Sequence, residues 1–238
     1  MNKVERAIIM AAGIGERMKP ITNTVPKPLI TVNGTRMIDT VIDALHNNDI
    51  NEIYIVVGHL KEQFYVLKEK YDNLVFIDNP YYKKCNNVSS LYMARDYIEK
   101  SIILDGDQII YDESILKPEF NLSGYNAVWT EDETDEWVMT VENGIVKNCN
   151  RTGGDRGWQL YSISRWNSSD GKKLRKYLEI EFEENKNTQI YWDDIPMFCY
   201  PQEFELGITK MNKGDVVEID SVEELIQIDN SYSEGSYK

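Results

Sequence analysis

The chain has 238 residues, 42% of them apolar, enough to bury a sizeable core within one α/β domain spanning residues 1–238. Its formal net charge is −14, from 40 acidic against 26 basic side chains, a field that repels polynucleotides and anionic lipid and so counts out nucleic-acid and membrane-surface partners. There is no apolar run of the ~18 residues that a membrane span needs, no signal-peptide core follows the charged start Met1-Asn2-Lys3-Val4-Glu5-Arg6, and Cys85, Cys149 and Cys199 fit neither a disulfide framework nor a zinc pattern, so a cytoplasmic location is expected.

The first predicted element is a buried strand over Ala7-Ile8-Ile9-Met10, which opens into Ala11-Ala12-Gly13-Ile14-Gly15-Glu16-Arg17. Two glycines two apart let a main chain come close to a ligand and aim several N–H groups at one place, as a triphosphate requires. The loop lacks the Gly-Lys-Ser/Thr ending of a P-loop and the third glycine of the dinucleotide fingerprint. Arg17, and Lys27 within Pro26-Lys27-Pro28-Leu29, supply positive charge for the phosphates during attack. Helical spacing follows in Met37-Ile38-x-x-Val41-Ile42-x-x-Leu45, then a strand over Ile53–Val57, a helix over Glu62–Lys70 and a strand over Leu74–Ile77. A further helix runs from Asn87 or Val88 to Ile98, and a central strand over Ser101–Leu104 delivers Asp105-Gly106-Asp107 to its carboxyl end.

The second half reads differently. Short runs at Ala127–Thr130, Trp137–Val141, Ile145–Lys147 and Trp158–Ile163 are separated by polar turns, with Glu142-Asn143-Gly144 marking a hairpin. A charged helix over Asp170–Glu183 precedes Tyr191-Trp192-Asp193-Asp194, a strand around Phe204–Thr209, the run Val216–Ile219 and a closing helix from Ser221. The tail after Asn230 is expected to fray. The fold class is therefore α/β, a mostly parallel central sheet flanked by helices, with antiparallel additions on one side.

The unbroken pattern from Ile8 to Leu29, Ala-Ala-Gly-x-Gly-x-Arg-Met with Pro20, Thr22 and Pro-Lys-Pro-Leu, resembles the nucleotidyltransferases that make nucleoside-diphosphate sugars and cytidine-diphosphate alcohols. Over nearly its whole length the chain is most similar to the bacterial phosphocholine cytidylyltransferases. The carrying residues are Val57–Phe64, Asn86-Asn87, Ser90-Leu91-Tyr92, Asp135-Glu136-Trp137, Tyr191-Trp192-Asp193 and Glu218-Ile219-Asp220-Ser221. The resemblance implies a Rossmann-like fold, CTP and Mg2+, and transfer of CMP to a small phosphorylated amino alcohol, phosphocholine foremost. In place of phosphocholine it leaves 2-aminoethylphosphonate or phosphoethanolamine and its N-methylated forms as acceptors and, further off, a sugar 1-phosphate. A non-catalytic nucleotide-binding subunit is the contrasting class. The presence of Arg17, Lys27, Asp107 and Asp220 together speaks against it.

Within that reading, Ala11 to Glu16 hold the triphosphate, and Arg17 and Lys27 are catalytic. Asp107, a carboxylate at the end of a buried strand, is a magnesium ligand; Asp220 matches the family's second ligand, although Asp220-Ser221 also reads as a helix N-cap. Asp105 is either a nucleotide contact or a turn residue, and Ser90, in a region that touches the nucleobase in the family, either contacts nucleotide or caps its helix. A quaternary ammonium donates no N–H hydrogen bond and is held by ring faces with carboxylates nearby. Trp137, Tyr191 and Trp192 beside Glu136 and Asp193 form such a cage on the acceptor side, or else Trp137 is a sheet residue in the core and Tyr191-Trp192 a helix anchor. An acceptor with a primary amine needs fewer rings and more hydrogen-bond acceptors. Val88-Ser89 stands where the phosphocholine enzymes have bulkier, aromatic choices.

Overall fold

Strand β1 (Arg6–Ala11) is apolar along its length because both of its faces are covered, as parallel strands require. In the computed structural model, which describes residues 1–234, it lies between β2 (Glu52–Val57) and β4 (Ser101–Asp105), and β3 (Leu74–Asp78) lies outside β2. All three pairings are parallel, with Ile9 opposite Ile55 on one side and Leu104 on the other. Alternation divides the side chains between two layers. Ile9, Ile55 and Leu104 pack under helix α1 (Met37–Asn47), whose Ile38, Val41, Ile42 and Leu45 are fully buried at the predicted helical spacing. Ile8, Val56 and Ile103 face α2 (Val88–Met93) through Val88 and Leu91.

Two of the predicted helices take a tighter form. Lys61–Glu69 is a 3-10 helix rather than an α-helix. The helix predicted through Ile98 ends at Met93, where Arg95 Nη1 donates to the Tyr92 carbonyl at 2.8 Å while its guanidinium lies 4.2 Å from the Tyr92 ring centre; Arg95–Tyr97 continues as a 3-10 turn.

Beyond β4, a short β5 (Gln108–Ile110) leads to β6 (Gly124–Thr130), β7 (Val138–Glu142), β8 (Ile145–Asn150) and the long β9 (Gly157–Trp166). The predicted hairpin joins β7 to β8 through Asn143 and Gly144, both with positive φ, the two-residue turn that suits strand twist. β9 runs antiparallel to β4 and so fastens this half to the parallel sheet. Helix α3 (Ser168–Glu179) extends through a π-helical turn to Glu184. Strand β10 (Gly207–Met211) pairs parallel with β6 and touches β8 at Ile145–Gly207, and β6 also pairs with β9, so β6-β10-β8-β7-β9 close into a five-stranded ring. Where β6 and β10 meet, a Cβ on Gly124 would lie 2.0 Å from the Gly207 carbonyl oxygen, and only glycine fits.

After the ring the chain returns to the parallel half. β11 (Val216–Glu218) pairs antiparallel with β5, and α4 (Val222–Ile228) follows. Of the segment expected to fray after Asn230, Asn230–Glu234 forms a 3-10 turn whose Tyr232 hydroxyl donates to the Thr31 carbonyl at 2.7 Å, and 235–238 lie outside the described residues. No helix among the described residues is long and apolar enough to cross a membrane.

Candidate active site

The carboxyl ends of β1 and β4 face the same cleft, of about 360 Å³, bounded by the glycine loop on one side and by Asp105, Asp107, Glu218 and Asp220 on the other. Gly15 sets the loop's turn. Its φ is +68°, and a Cβ there would lie 2.8 Å from Thr22 Cγ2. Thr22, fully buried, donates to the Gly15 carbonyl at 2.8 Å and its own carbonyl meets His59 Nε2 at 2.7 Å, so the turn is anchored from below. At Gly13 a Cβ would meet nothing within 4 Å, since that position faces the open cleft where a ligand's phosphates have room. Ala11, Ala12 and Gly13 line this cleft; Ile14 lines an adjoining hollow of about 240 Å³ together with Ser90 and Asn79. Ser90 Oγ accepts from Asn79 Nδ2 at 3.0 Å, which leaves its hydroxyl proton for a partner in the hollow. The Glu16 side chain turns to solvent and pairs with Lys19 at 2.6 Å.

Lys27 is the buried cation of the cleft. Its Nζ lies 2.6 Å from Asp107 Oδ2 and 2.7 Å from Asp220 Oδ1, and Arg17 Nη2 reaches the same Asp220 oxygen at 2.9 Å. Burial opposes the charge on Lys27, but the two carboxylates outweigh it and raise its pKa well above the ordinary lysine value. Ser221 caps helix α4, while the Asp220 carboxylate stays paired with Lys27 and Arg17 in the cleft. Ser221 Oγ accepts from Glu224 N at 3.2 Å and Glu224 Oε2 accepts from Ser221 N at 2.9 Å, so the cap spares the Asp220 carboxylate.

Asp105, Asp107 and Glu218 each present an oxygen within 4.8 Å of the other two. Burial first, and the neighbouring Asp107 charge second, push the pKa values of Asp105 and Glu218 well above the usual carboxylate range. Asp107 Oδ1 is buried with no hydrogen-bond partner. Three hard carboxylate oxygens crowded together, with an Asp107 oxygen left without a hydrogen-bond partner, suit a divalent cation. Asp220 meets Asp107 through Lys27.

A second hollow, of about 670 Å³, opens from the same carboxylates toward the ring and is walled by Glu136, Trp137, Arg151, Tyr191 and Asp193. The Tyr191 and Trp137 rings meet edge to face at 6.0 Å, and Trp137 meets Phe198 at 5.4 Å. Burial raises the Asp193 carboxyl to about 7, although the Tyr125 hydroxyl beside it works in the other direction. Burial also raises Glu136, with Asp220 adding repulsion. The start of α2 is stitched to this wall: Asn86 N donates to the Thr188 carbonyl at 2.8 Å, and Trp192 N donates to Asn87 Oδ1 at 2.9 Å.

The Nucleotidyl transferase family profile matches residues 6–118, the stretch that holds the glycine loop, Lys27 and Asp107. The chain is 38% identical over 229 residues to the 2-aminoethylphosphonate cytidylyltransferase of Lancefieldella rimae, covering 95% of this chain and 92% of that protein. This chain is a cytidylyltransferase of the nucleotidyl transferase family. The cytidylyltransferase is also 31% identical to the choline-phosphate cytidylyltransferase of Streptococcus pneumoniae, over 92% of its own length and 94% of the relative's. A solved structure of the CTP:phosphocholine cytidylyltransferase from Streptococcus pneumoniae superposes with a TM-score of 0.89 at 30% identity, covering 96% of this chain and 99% of that one.

One expected member of the acceptor site is misplaced by the sequence reading. Trp192 is only 4% exposed and packs against Tyr125 and Trp166, each with ring centres 6.1 Å away. The turn that places Tyr191 at the hollow sends the next side chain into the core of the cytidylyltransferase, so the three-ring cage is reduced to Trp137 and Tyr191. Two residues escape sequence reasoning. Glu218 sits in an apolar run, where a lone acid is itself the signal. Arg151 lies in a turn, with no periodicity to mark it.

Proposed function

We propose that this cytidylyltransferase transfers CMP from CTP to a small acceptor carrying a primary ammonium and a phosphonate or phosphate, 2-aminoethylphosphonate above all. The observation that carries this reading is the pair of carboxyls, Asp193 and Glu136, that line the acceptor hollow. A primary ammonium donates N–H hydrogen bonds to such carboxyls, whereas a trimethylammonium has none to donate. The identity with the Lancefieldella rimae enzyme supports the same acceptor. Phosphocholine is the second reading, favoured by the Trp137–Tyr191 pair on the wall.

An acceptor oxygen attacks the α-phosphorus of CTP in line, the bond from that phosphorus to the bridging oxygen breaks, and diphosphate leaves with its electron pair. A phosphonate or phosphate dianion is nucleophilic at neutral pH, so no side chain has to take a proton. The residues supply alignment and charge. The N–H groups of Ala11 to Glu16 cradle the triphosphate, and Ser90 contacts the nucleoside. Lys27, released from its two aspartates, and Arg17 answer the negative charge that builds up around the α-phosphorus. Asp107 and Asp220, joined by Asp105 and Glu218, would hold a divalent cation, which when bound supplies positive charge to phosphate oxygens. Asp193 and Glu136 orient the ammonium.

The test is diphosphate release from CTP with Mg2+ and, side by side, 2-aminoethylphosphonate, phosphoethanolamine and phosphocholine. The primary amines should be favoured in kcat/KM by about tenfold or more, since an acceptor that cannot hydrogen-bond leaves buried polar groups unpaired. A preference for phosphocholine would overturn the acceptor assignment; no release with any of them would overturn the activity.

A further inference from the structure

Arg151 is the one cation on the wall of the acceptor hollow that lies away from the carboxylate cluster, among the described residues. Its Cζ lies 4.0 Å from the centre of the Phe198 ring and 5.7 Å from that of Trp137. Those are the distances at which a ring face holds a cation. Its Nη2 is 2.6 Å from Asp194 Oδ1, on a side chain only 2% exposed. The other Asp194 oxygen accepts from Tyr191 N at 3.0 Å, so one carboxylate fixes both the guanidinium and the turn that presents the Tyr191 ring. Phe198, packed edge to face on Trp137, lies beneath the guanidinium and gives it a second surface.

We propose that Arg151 is a specificity-determining residue: its guanidinium occupies the cation place on the ring wall, held there by Asp194, and so bars a quaternary ammonium while leaving Asp193 open to a primary one. A trimethylammonium has only ring faces and net charge to bind through, and here the Phe198 and Trp137 surfaces are taken by a cation of the same sign. A primary ammonium needs no ring. It binds the Asp193 and Glu136 carboxyls that line the hollow, and Asp194 pairs with the arginine charge that would otherwise oppose it. Arginine suits the place better than lysine because a planar guanidinium stacks on rings. The inference rests on the acceptor reading above, in that it explains how the same hollow disfavours phosphocholine.

The experiment compares Arg151→Ala and Arg151→Lys with the unaltered enzyme. The latter keeps a charge for the buried Asp194, but no planar group, and is the variant that folds if loss of the ion pair proves too costly. Steady-state kcat/KM is measured for phosphocholine and 2-aminoethylphosphonate, and isothermal titration of phosphocholine follows the same pocket without turnover. Freed ring faces should raise the phosphocholine to 2-aminoethylphosphonate ratio by about tenfold in Arg151→Ala and a few-fold in Arg151→Lys, with tighter phosphocholine binding in both. An unchanged ratio and unchanged binding in the folded variants would overturn the proposal, as would an equal loss for both acceptors, which would instead assign Arg151 to the shared phosphonate or phosphate group. The ratio in the unaltered enzyme judges the acceptor reading, and its change in the variants judges Arg151, so the two fail separately.

Discussion

Replacing Lys27 with methionine keeps the buried stem and removes the charge. The ammonium it deletes lies within 2.7 Å of both Asp107 and Asp220, and two further carboxyls, Asp105 and Glu218, stand behind them. Removing one partner of a buried ion pair typically costs about 3–5 kcal/mol, because the remaining charge is stranded. Here the lower end applies, since the aspartate side chains retain 21% of their exposure. Two opposite effects should follow. Without divalent cation, the melting temperature should fall clearly, read by calorimetry. With divalent cation, the vacated space between Asp107 and Asp220 should bind Mg2+ or Mn2+ more tightly than in the unaltered protein, read by isothermal titration, because the resident ammonium no longer competes. Turnover should nonetheless drop by about a hundredfold or more in kcat, the usual cost of losing a positive group aimed at transition-state charge. A variant that binds metal no more tightly, or loses activity through KM alone, would refute the reasoning that Lys27 exchanges its aspartates for phosphate.

Asp220→Asn should raise the Mg2+ concentration needed for half-maximal rate by about tenfold while circular dichroism stays unchanged, because the Ser221–Glu224 cap does not use that carboxylate; an unshifted Mg2+ titration would remove it from the site. Asp193, raised to about 7, binds its proton in the folded protein at pH values where an unfolded aspartate has lost it, so its contribution to stability is present below about pH 4 and is lost as pH rises through about 7. The same ionisation favours an ammonium, so kcat/KM for 2-aminoethylphosphonate should climb through about pH 7 more steeply in the unaltered enzyme than in Asp193→Asn; coincident profiles would exclude the carboxylate from acceptor binding. Trp192→Ala should destabilise by about 3–5 kcal/mol in denaturant titration and leave the acceptor ratio unchanged, as for a large core side chain; a stable variant with altered acceptor choice would restore the three-ring cage.

The glycine loop and Lys27 stood out as a local motif, with Gly15 where φ turns positive, whereas Asp107 and Asp220 were singled out by the family resemblance more than by their spacing. The strands of the parallel half were legible from apolar runs, since both faces are covered. What failed to show was set by side-chain direction and long-range pairing. Tyr191 and Trp192 are adjacent and alike in composition, yet a turn anchored by Asn87 Oδ1 sends one to the hollow and the other to the core. Glu218 joins Asp105 and Asp107 because β11 pairs with β5, a contact across more than a hundred residues that no spacing encodes. Likewise, the closure of β6 onto both β9 and β10 depends on two glycines far apart in the chain meeting, Gly124 and Gly207.

The five-stranded ring lies between β5 and β11 in the chain, yet β5 and β11 pair directly with each other. The ring is in effect a cassette spliced into the nucleotide-binding half, entered and left at neighbouring points. The Nucleotidyl transferase family profile matches residues 6–118, up to just before that cassette begins. Its inner strands hold one another through the hydrogen bonds of the closed circuit, so the turns on its rim, where Glu136 and Arg151 stand, are free to change composition without disturbing the strands that present Asp105, Asp107 and Glu218. In a chain assembled this way the rim's side chains can be exchanged while the strands that carry the carboxylates keep their pairing.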